Sequence, residues 1–324
     1  MNFKSLFAVF TFALGQTNPY LPGQNGENKE LWKFGASPAF DENLHIFVPK
    51  DNSDTFPLVL FFSGFGSNLP TAAYSEVLSE MASKAHGAVV VAWDGLTESN
   101  PLDMPGILAR TNKILEFCQT KLQDYINANF ANKAVVDPSR LFFAAHSSGN
   151  QIAVEMALSN PSLGMILLDP VDSDPVKMTK PVINGTVAYD KPVMVVASGL
   201  CEVSGINLGK VFPPCCPPGF SSQHFYDAFT NVPKYMYTVT DYGHADLLSP
   251  NAAAWAAHFS HFCASVADPN KNPFDNYRNF ISGAVSSFIS LYGFDDCGYS
   301  KYLTDSSYFD TNVAFGNANL DRCQ

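Results

Sequence analysis

Short apolar runs alternate along this chain with longer stretches in which apolar residues recur at helical spacing. The runs Leu44–Val48, Leu58–Phe62, Ala88–Ala92, Leu141–Ala145, Met165–Leu168, Val193–Ala197 and Tyr235–Thr240 read as strands. Several are apolar almost throughout, as expected of strands covered on both faces. Between them, Ala72–Ala85, Ile107–Ile126 and Gln151–Leu158 carry helical patterns. In the second, Ile107, Ile114, Leu115, Cys118, Leu122 and Ile126 fall on one stripe. This alternation predicts an α/β fold with a mostly parallel central sheet flanked by helices. Phe280–Leu291 predicts a late packed helix, and the residues from Asp295 on read as an irregular arm. Pro, Gly and Cys concentrate between Gly199 and Phe220, which predicts an inserted loop, a lid or a substrate wall.

The first apolar run is of another kind. In MNFKSLFAVFTFALGQT, Lys4 precedes the apolar Leu6–Leu14, and Ala13 and Gly15 are small residues ahead of Gln16. This is the pattern of a secretory signal peptide over residues 1–15, leaving residues 16–324 as one mature domain in the secretory pathway. The run is too short to span a bilayer, and no other run reaches that length, so a soluble mature protein is expected.

Composition narrows the picture. Apolar residues make up 46% of 324, enough for a sizeable core. Lys and Arg number 19 against 30 Asp and Glu, a net charge of −11 that argues against a nucleic-acid partner. The 7 cysteines are an odd number, so pairing in an oxidising compartment leaves at least one over. None has zinc spacing with another Cys or a His, and Cys215–Cys216 sits in the proline-rich FPPCCPPGF, which reads as a rigid loop. No metal or cofactor is expected. Asn184-Gly185-Thr186 is a glycosylation sequon that matters if the chain is secreted.

The chemistry centres on AAHSSGN. Ala145-His146-Ser147-Ser148-Gly149 matches the strand–turn–helix nucleophile elbow G-x-S-x-G, with Ala in place of the first Gly. The turn is so tight that only small residues fit two before and two after the serine. An oxyanion hole needs two backbone N–H groups. One belongs to the residue after the nucleophile, Ser148; the other to the turn Ser63-Gly64-Phe65-Gly66 after an earlier strand, where Phe65 is favoured. Of the histidines, His244 in DYGHADLL lies just after a late strand, where this fold places its base. His146 lies within the elbow, His45 in an early strand and His86 at a helix end, while His258 and His261 lie on a late helical pattern. The acid must lie between them at a strand end. Asp169 and Glu202 both qualify, and spacing does not choose between them. Asp172, Asp174 and Asp190 read as loop residues, and Asp241 and Asp246 are too near His244 in sequence to orient it easily.

These segments together resemble a known family. LLDPVDSD, VASGLCEVSG, VFPPCCPPGFSSQHFYDAF and VTDYGHADLL, in this order after an H-S-x-G serine, are similar to the chlorophyllases. FFSGFGSN and ISGAVSSFISLYG match further segments, so the likeness runs from about Leu44 to Gly293. It implies an α/β-hydrolase serine esterase that releases phytol from chlorophyll without a cofactor. It also implies a triad of Ser147, Asp169 and His244, which breaks the tie with Glu202. The chain departs from the family at Ala145, Ser148 and Asn150, where the elbow usually reads G-H-S-R-G-G. It departs again at Ser63, usually His before the oxyanion-loop Gly, and at Ser173, usually Gly after D-P-V-D. The implied partner is an apolar ester, chlorophyll or lipid-like, with peripheral contact to membranes that carry it. Two rival expectations share the fold: a secreted lipase or carboxylesterase for other apolar esters, and a non-catalytic pigment- or lipid-binding protein. The N-terminus allows either secretion or a route through the endoplasmic reticulum to a complex plastid.

Overall fold

A computed structural model describes residues 18–21, 32–33, 43–50, 55–67, 69–94, 104–131, 133–173, 180–207, 210–250, 263–266, 268–318 and 323. The signal-peptide segment, Asp174, His258 and His261 lie outside the described residues.

Among the described residues, nine strands form one sheet in the order β1-β2-β4-β3-β5-β6-β7-β10-β11. They are β1 (Trp32–Lys33), β2 (Asn43–Phe47), β3 (Thr55–Phe62), β4 (Val89–Asp94), β5 (Val135–His146), β6 (Gly164–Leu168), β7 (Val193–Ser198), β10 (Lys234–Val239) and β11 (Val313–Ala318). The six strands from β4 to β10 in that order are parallel. β1, β2 and β11 are antiparallel additions at the edges. The remaining pair, β8 (Gly205–Asn207) and β9 (Lys210–Phe212), makes a small hairpin within the inserted loop.

Alternation along the strands splits the core into two layers. On β3, Val59 and Phe61 face one cluster with the helices Ser75–Ser83 and Phe274–Gly293. Leu58, Leu60 and Phe62 face the other, with Met104–Thr120, Leu122–Asn129 and Gly149–Ser159. All of these β3 side chains are fully buried. Burying both faces is why the strands read as continuous apolar runs, and at roughly 1.5–3 kcal/mol per large apolar side chain it is the main stabilising contribution.

Two expectations need correction. The helix expected over Ile107–Ile126 is two helices that meet at Lys121 (φ −132°), so its stripe turns a corner there. The arm after Asp295 is not irregular: it contains the helix Ser300–Thr304 and ends in β11, paired with β10 from Val239↔Val313 to Lys234↔Ala318. Its sequence, VAFGNA, is broken by Gly and Asn, and its Phe315 is exposed. An edge strand held by backbone pairing leaves little apolar signal. A Cys297–Cys323 disulfide ties the arm down.

Candidate active site

β5 delivers the nucleophile candidate from the centre of the sheet. Ser147 follows its last residue and precedes the Gly149–Ser159 helix, with φ 57°. A left-handed L-residue costs roughly 1–2 kcal/mol, so the turn must be held by its surroundings. Ser147 N–H donates to Leu168 O (3.1 Å), and Val171 N–H donates to Ser147 O (3.2 Å). The Asn150 amide donates to both Ser147 O (2.9 Å) and Leu168 O (3.1 Å). A Cβ on Gly149 would lie 2.4 Å from Ser63 O and 2.7 Å from Phe62 O, which explains the small residue there.

The loop after β3 lies directly on this turn. Residues Gly64–Ser67 form a single turn with left-handed dihedrals at Phe65 (53°, 41°) and Gly66 (60°, 47°). Gly66 N–H donates to Ser148 Oγ (3.0 Å), and a Cβ on Gly64 would lie 3.2 Å from that of Ser147. Phe65 and Ser148 are therefore carried by segments in mutual contact. The side chain of Phe65 is exposed. Ser63 is fully buried and donates to Leu69 O (2.7 Å).

His244 arrives on the turn after β10. Its Nε2 lies 2.8 Å from Ser147 Oγ. The turn is fixed by Asp246, which accepts from Gly243 N–H (2.7 Å), Val266 N–H (2.9 Å) and the Ser265 hydroxyl. Burial pushes the Asp246 carboxyl above its ordinary range, and these donors oppose that rise. Asp246 thus builds the loop rather than pairing with the imidazole.

Asp169 follows the last residue of β6, with φ 40°, and is fully buried. Its Oδ2 lies 3.7 Å from His244 Nδ1. Oδ1 accepts from Ser198 N–H (2.5 Å), and the Tyr277 hydroxyl donates to Oδ2 (3.4 Å). Glu202 is exposed and takes the Ser221 hydroxyl instead. The structure therefore brings together Ser147, His244 and Asp169, and leaves Glu202 outside the cluster. Asp172, expected in a loop, is fully buried. It accepts from Val182 N–H (2.8 Å), Ile183 N–H (3.0 Å), the Gln151 amide (3.3 Å) and His224 Nε2 (3.1 Å).

Sequence reasoning missed one close neighbour of the imidazole. Cys201 and Cys216 form a disulfide whose sulfurs lie 3.2 and 3.3 Å from His244 Nδ1. The donor atoms of Asp169, Cys201, Cys216 and His244 lie within 4.8 Å of one another, a grouping that could suit a divalent ion. The disulfide removes the thiolates such an ion would use, so the bonded pair offers a sulfur wall instead. Cys215 pairs with Cys263, and Cys118 is the buried free cysteine among the described residues. Tyr277, on the C-terminal helix, was also missed. Its contact with Asp169 spans 108 residues, which no local pattern reports.

Among the other histidines, His45 lies in β2, and His86 stacks on Phe294 beside Asp296. His146 places its Nε2 against the His244 carbonyl (3.1 Å).

Comparison with known proteins places the whole chain. The family model "Chlorophyllase" matches residues 25–308. A protein of Citrus sinensis named Chlorophyllase-1, chloroplastic, is 27% identical over 84% of this chain and 79% of its own length. The protein of that name from Citrus unshiu is equally similar, at 27% over 84% and 79%.

Proposed function

The chain belongs to the chlorophyllase family, with the α/β-hydrolase fold, and is a carboxylic ester hydrolase; from there we propose that it cleaves the phytyl ester of chlorophyll, giving chlorophyllide and phytol, through Ser147, His244 and Asp169. The observation that carries the mechanism is the 2.8 Å approach of His244 Nε2 to Ser147 Oγ. At that distance the imidazole takes the hydroxyl proton as Oγ attacks the ester carbonyl. Asp169 stabilises the imidazolium across 3.7 Å, and the disulfide keeps water from Nδ1. The N–H groups of Phe65 and Ser148 hold the oxyanion. His244 returns its proton to the departing phytol oxygen. Water, deprotonated by the same imidazole, then splits the acyl-enzyme and regenerates Ser147.

Exposed apolar side chains lie on the loop after β3 and on the inserted loop. Phe65, Val203, Val211 and Phe220 are all at least a third exposed, the last three in the loop whose cysteines touch His244. They support access to a lipid-dissolved ester at a membrane surface. Among the described residues, no helix is long and apolar enough to cross a membrane. Both relatives bear the word chloroplastic in their names. Together with the N-terminal pattern this supports entry through the secretory pathway toward a plastid, with residues 16–324 as the mature domain.

A second reading, a secreted esterase for other apolar esters, draws on Ser148. Its hydroxyl accepts from Gly66 N–H where the family usually carries an arginine. Turnover of chlorophyll a and of a long-chain nitrophenyl ester by the purified protein separates the two. Chlorophyllide release supports the first; nitrophenol release with intact chlorophyll supports the second.

A further inference from the structure

Three segments carry the reacting parts: the loop with Phe65, the elbow with Ser147 and the turn with His244. One buried hydrogen-bond chain joins all three. Gly64 N–H donates to Tyr74 Oη (3.0 Å). Tyr74 Oη lies 2.8 Å from His146 Nδ1. His146 Nε2 lies 3.1 Å from His244 O. A carbonyl oxygen only accepts, so the His146 proton sits on Nε2. Nδ1 is then an acceptor and takes the Tyr74 proton, while the Tyr74 oxygen accepts from Gly64. Every proton in the chain has a single place. Tyr74 is 0% and His146 1% exposed, so water does not compete for these bonds.

We infer that His146 and Tyr74 are positioning residues that set the His244 turn and the oxyanion loop relative to Ser147. The inference rests on the reading of Ser147 as nucleophile and His244 as base. His146 is the last residue of β5 and the chain neighbour of Ser147, so the sheet fixes where it starts. Its ring reaches the His244 backbone and sets the span from nucleophile to base. Tyr74 carries the same reference on to Gly64, beside Phe65. The His146 nitrogens bond to Tyr74 and to the His244 backbone rather than to Ser147 Oγ or the His244 ring nitrogens, and its ring packs against that of His244.

The protonation states agree with this assignment. Burial holds His146 well below the usual histidine range, and the charge of His244 adds to that, against the bond to the His244 carbonyl. Burial holds the Tyr74 phenol well above its usual range, so it stays a donor. The His146 and His244 rings lie 4.6 Å apart. A neutral ring there tolerates the imidazolium that forms on His244; a second cation would oppose it.

The test measures kcat and KM on a soluble nitrophenyl ester, per site counted by fluorophosphonate titration. Tyr74→Phe should lower kcat about 10-fold with KM within about 2-fold, since small misplacements of reacting groups act on the chemical step. His146→Leu should cost about 100-fold, and His146→Gln, whose amide supplies both a donor and an acceptor, should return to within about 5-fold of wild type. Adding Tyr74→Phe to His146→Leu should cost less than about 2-fold more, because the chain is already cut. Unchanged kcat in both single variants, or full additivity between them, overturns the inference. So does a melting-temperature loss that tracks kcat without rescue by glutamine, which marks a purely structural role. Should His146→Leu not fold, Tyr74→Phe, which removes one oxygen, decides alone. Ser147→Ala separates the premise: an active Ser147→Ala sinks the reading of the site, whereas an inactive one beside a fully active Tyr74→Phe sinks the positioning chain only.

Discussion

The elbow around Ser147 and the inserted loop Gly199–Phe220 both touch His244, and they are held in opposite ways. The elbow is locked by packing: Ala145, Ser148, Gly149, Asn150 and Gln151 are all buried, and Gly149 has backbone oxygens where a side chain would begin. The inserted loop leaves Val203 47% and Val211 71% exposed and is fixed by the Cys201–Cys216 and Cys215–Cys263 disulfides. The group that must be placed within tenths of an ångström sits in close-packed core. The inserted loop is cross-linked instead, which leaves its outer face free to stay apolar and exposed.

Ser147→Ala should break the elbow's chemistry without breaking its packing. Ester hydrolysis should fall on the order of 10⁴-fold or more, with an unchanged melting temperature. A variant that keeps a tenth of wild-type turnover removes Ser147 from the mechanism.

Asp169→Asn should cost about 10³- to 10⁴-fold, because only the acid beside Nδ1 favours the charged imidazole, while Glu202→Gln in the exposed loop should stay within about 2-fold. A larger loss in the Glu202 variant would move the acid into the inserted loop.

Removing the loop's remote staple tests its own mode of support. Cys215→Ala with Cys263→Ala opens a link of sequence separation 48 and should lower unfolding free energy by about 2–4 kcal/mol. Turnover of a small soluble ester should persist, since neither cysteine is placed at His244. Denaturant midpoints and initial rates report the two effects separately.

Two glycines compare the regions directly. Gly149→Ala drives a methyl into the end of β3 and should cost about 1–3 kcal/mol as overpacking. Gly219 has φ 84° with nothing within 4 Å, so Gly219→Ala should cost only the backbone strain, about 1 kcal/mol. Equal costs would mean that the elbow is looser than its contacts indicate.

A further effect is on acid stability. His146 is held neutral by burial in the folded state, facing Tyr74 and His244. Its folded pKa lies below its unfolded value, so below about pH 6.5 the unfolded chain binds the extra proton and stability falls as pH falls. His146→Gln should flatten the stability curve between about pH 6.5 and 5 by up to ~1.4 kcal/mol per unit. A curve parallel to wild type would mean that His146 titrates alike in both states.

The core and the elbow were legible in sequence because both depend on local pattern. Continuous apolar runs predicted seven of the sheet's strands, each within a few residues apart from the longer start of β5. Ala145 and Gly149 flagged the turn because packing admits nothing larger. Side-chain partnerships across the sheet were not legible. Tyr74 and His146 meet across 72 residues and Tyr277 and Asp169 across 108, and no spacing rule links them. Glu202 and Asp169 were equivalent by position; the family resemblance favoured Asp169, and the fold sets Asp169 Oδ2 3.7 Å from His244 Nδ1 while Glu202 bonds to Ser221. The β11 edge strand escaped because backbone pairing needs no apolar pattern.

The central claim is that Ser147 is the one hydroxyl His244 activates. Treating the folded protein with a fluorophosphonate probe and locating the adduct by peptide mass spectrometry tests it most directly. The account predicts one probe per chain, on Ser147, with hydrolysis lost in proportion and no adduct in His244→Ala. Stoichiometric loss of activity with the adduct on another residue, or full activity with no adduct, would contradict it.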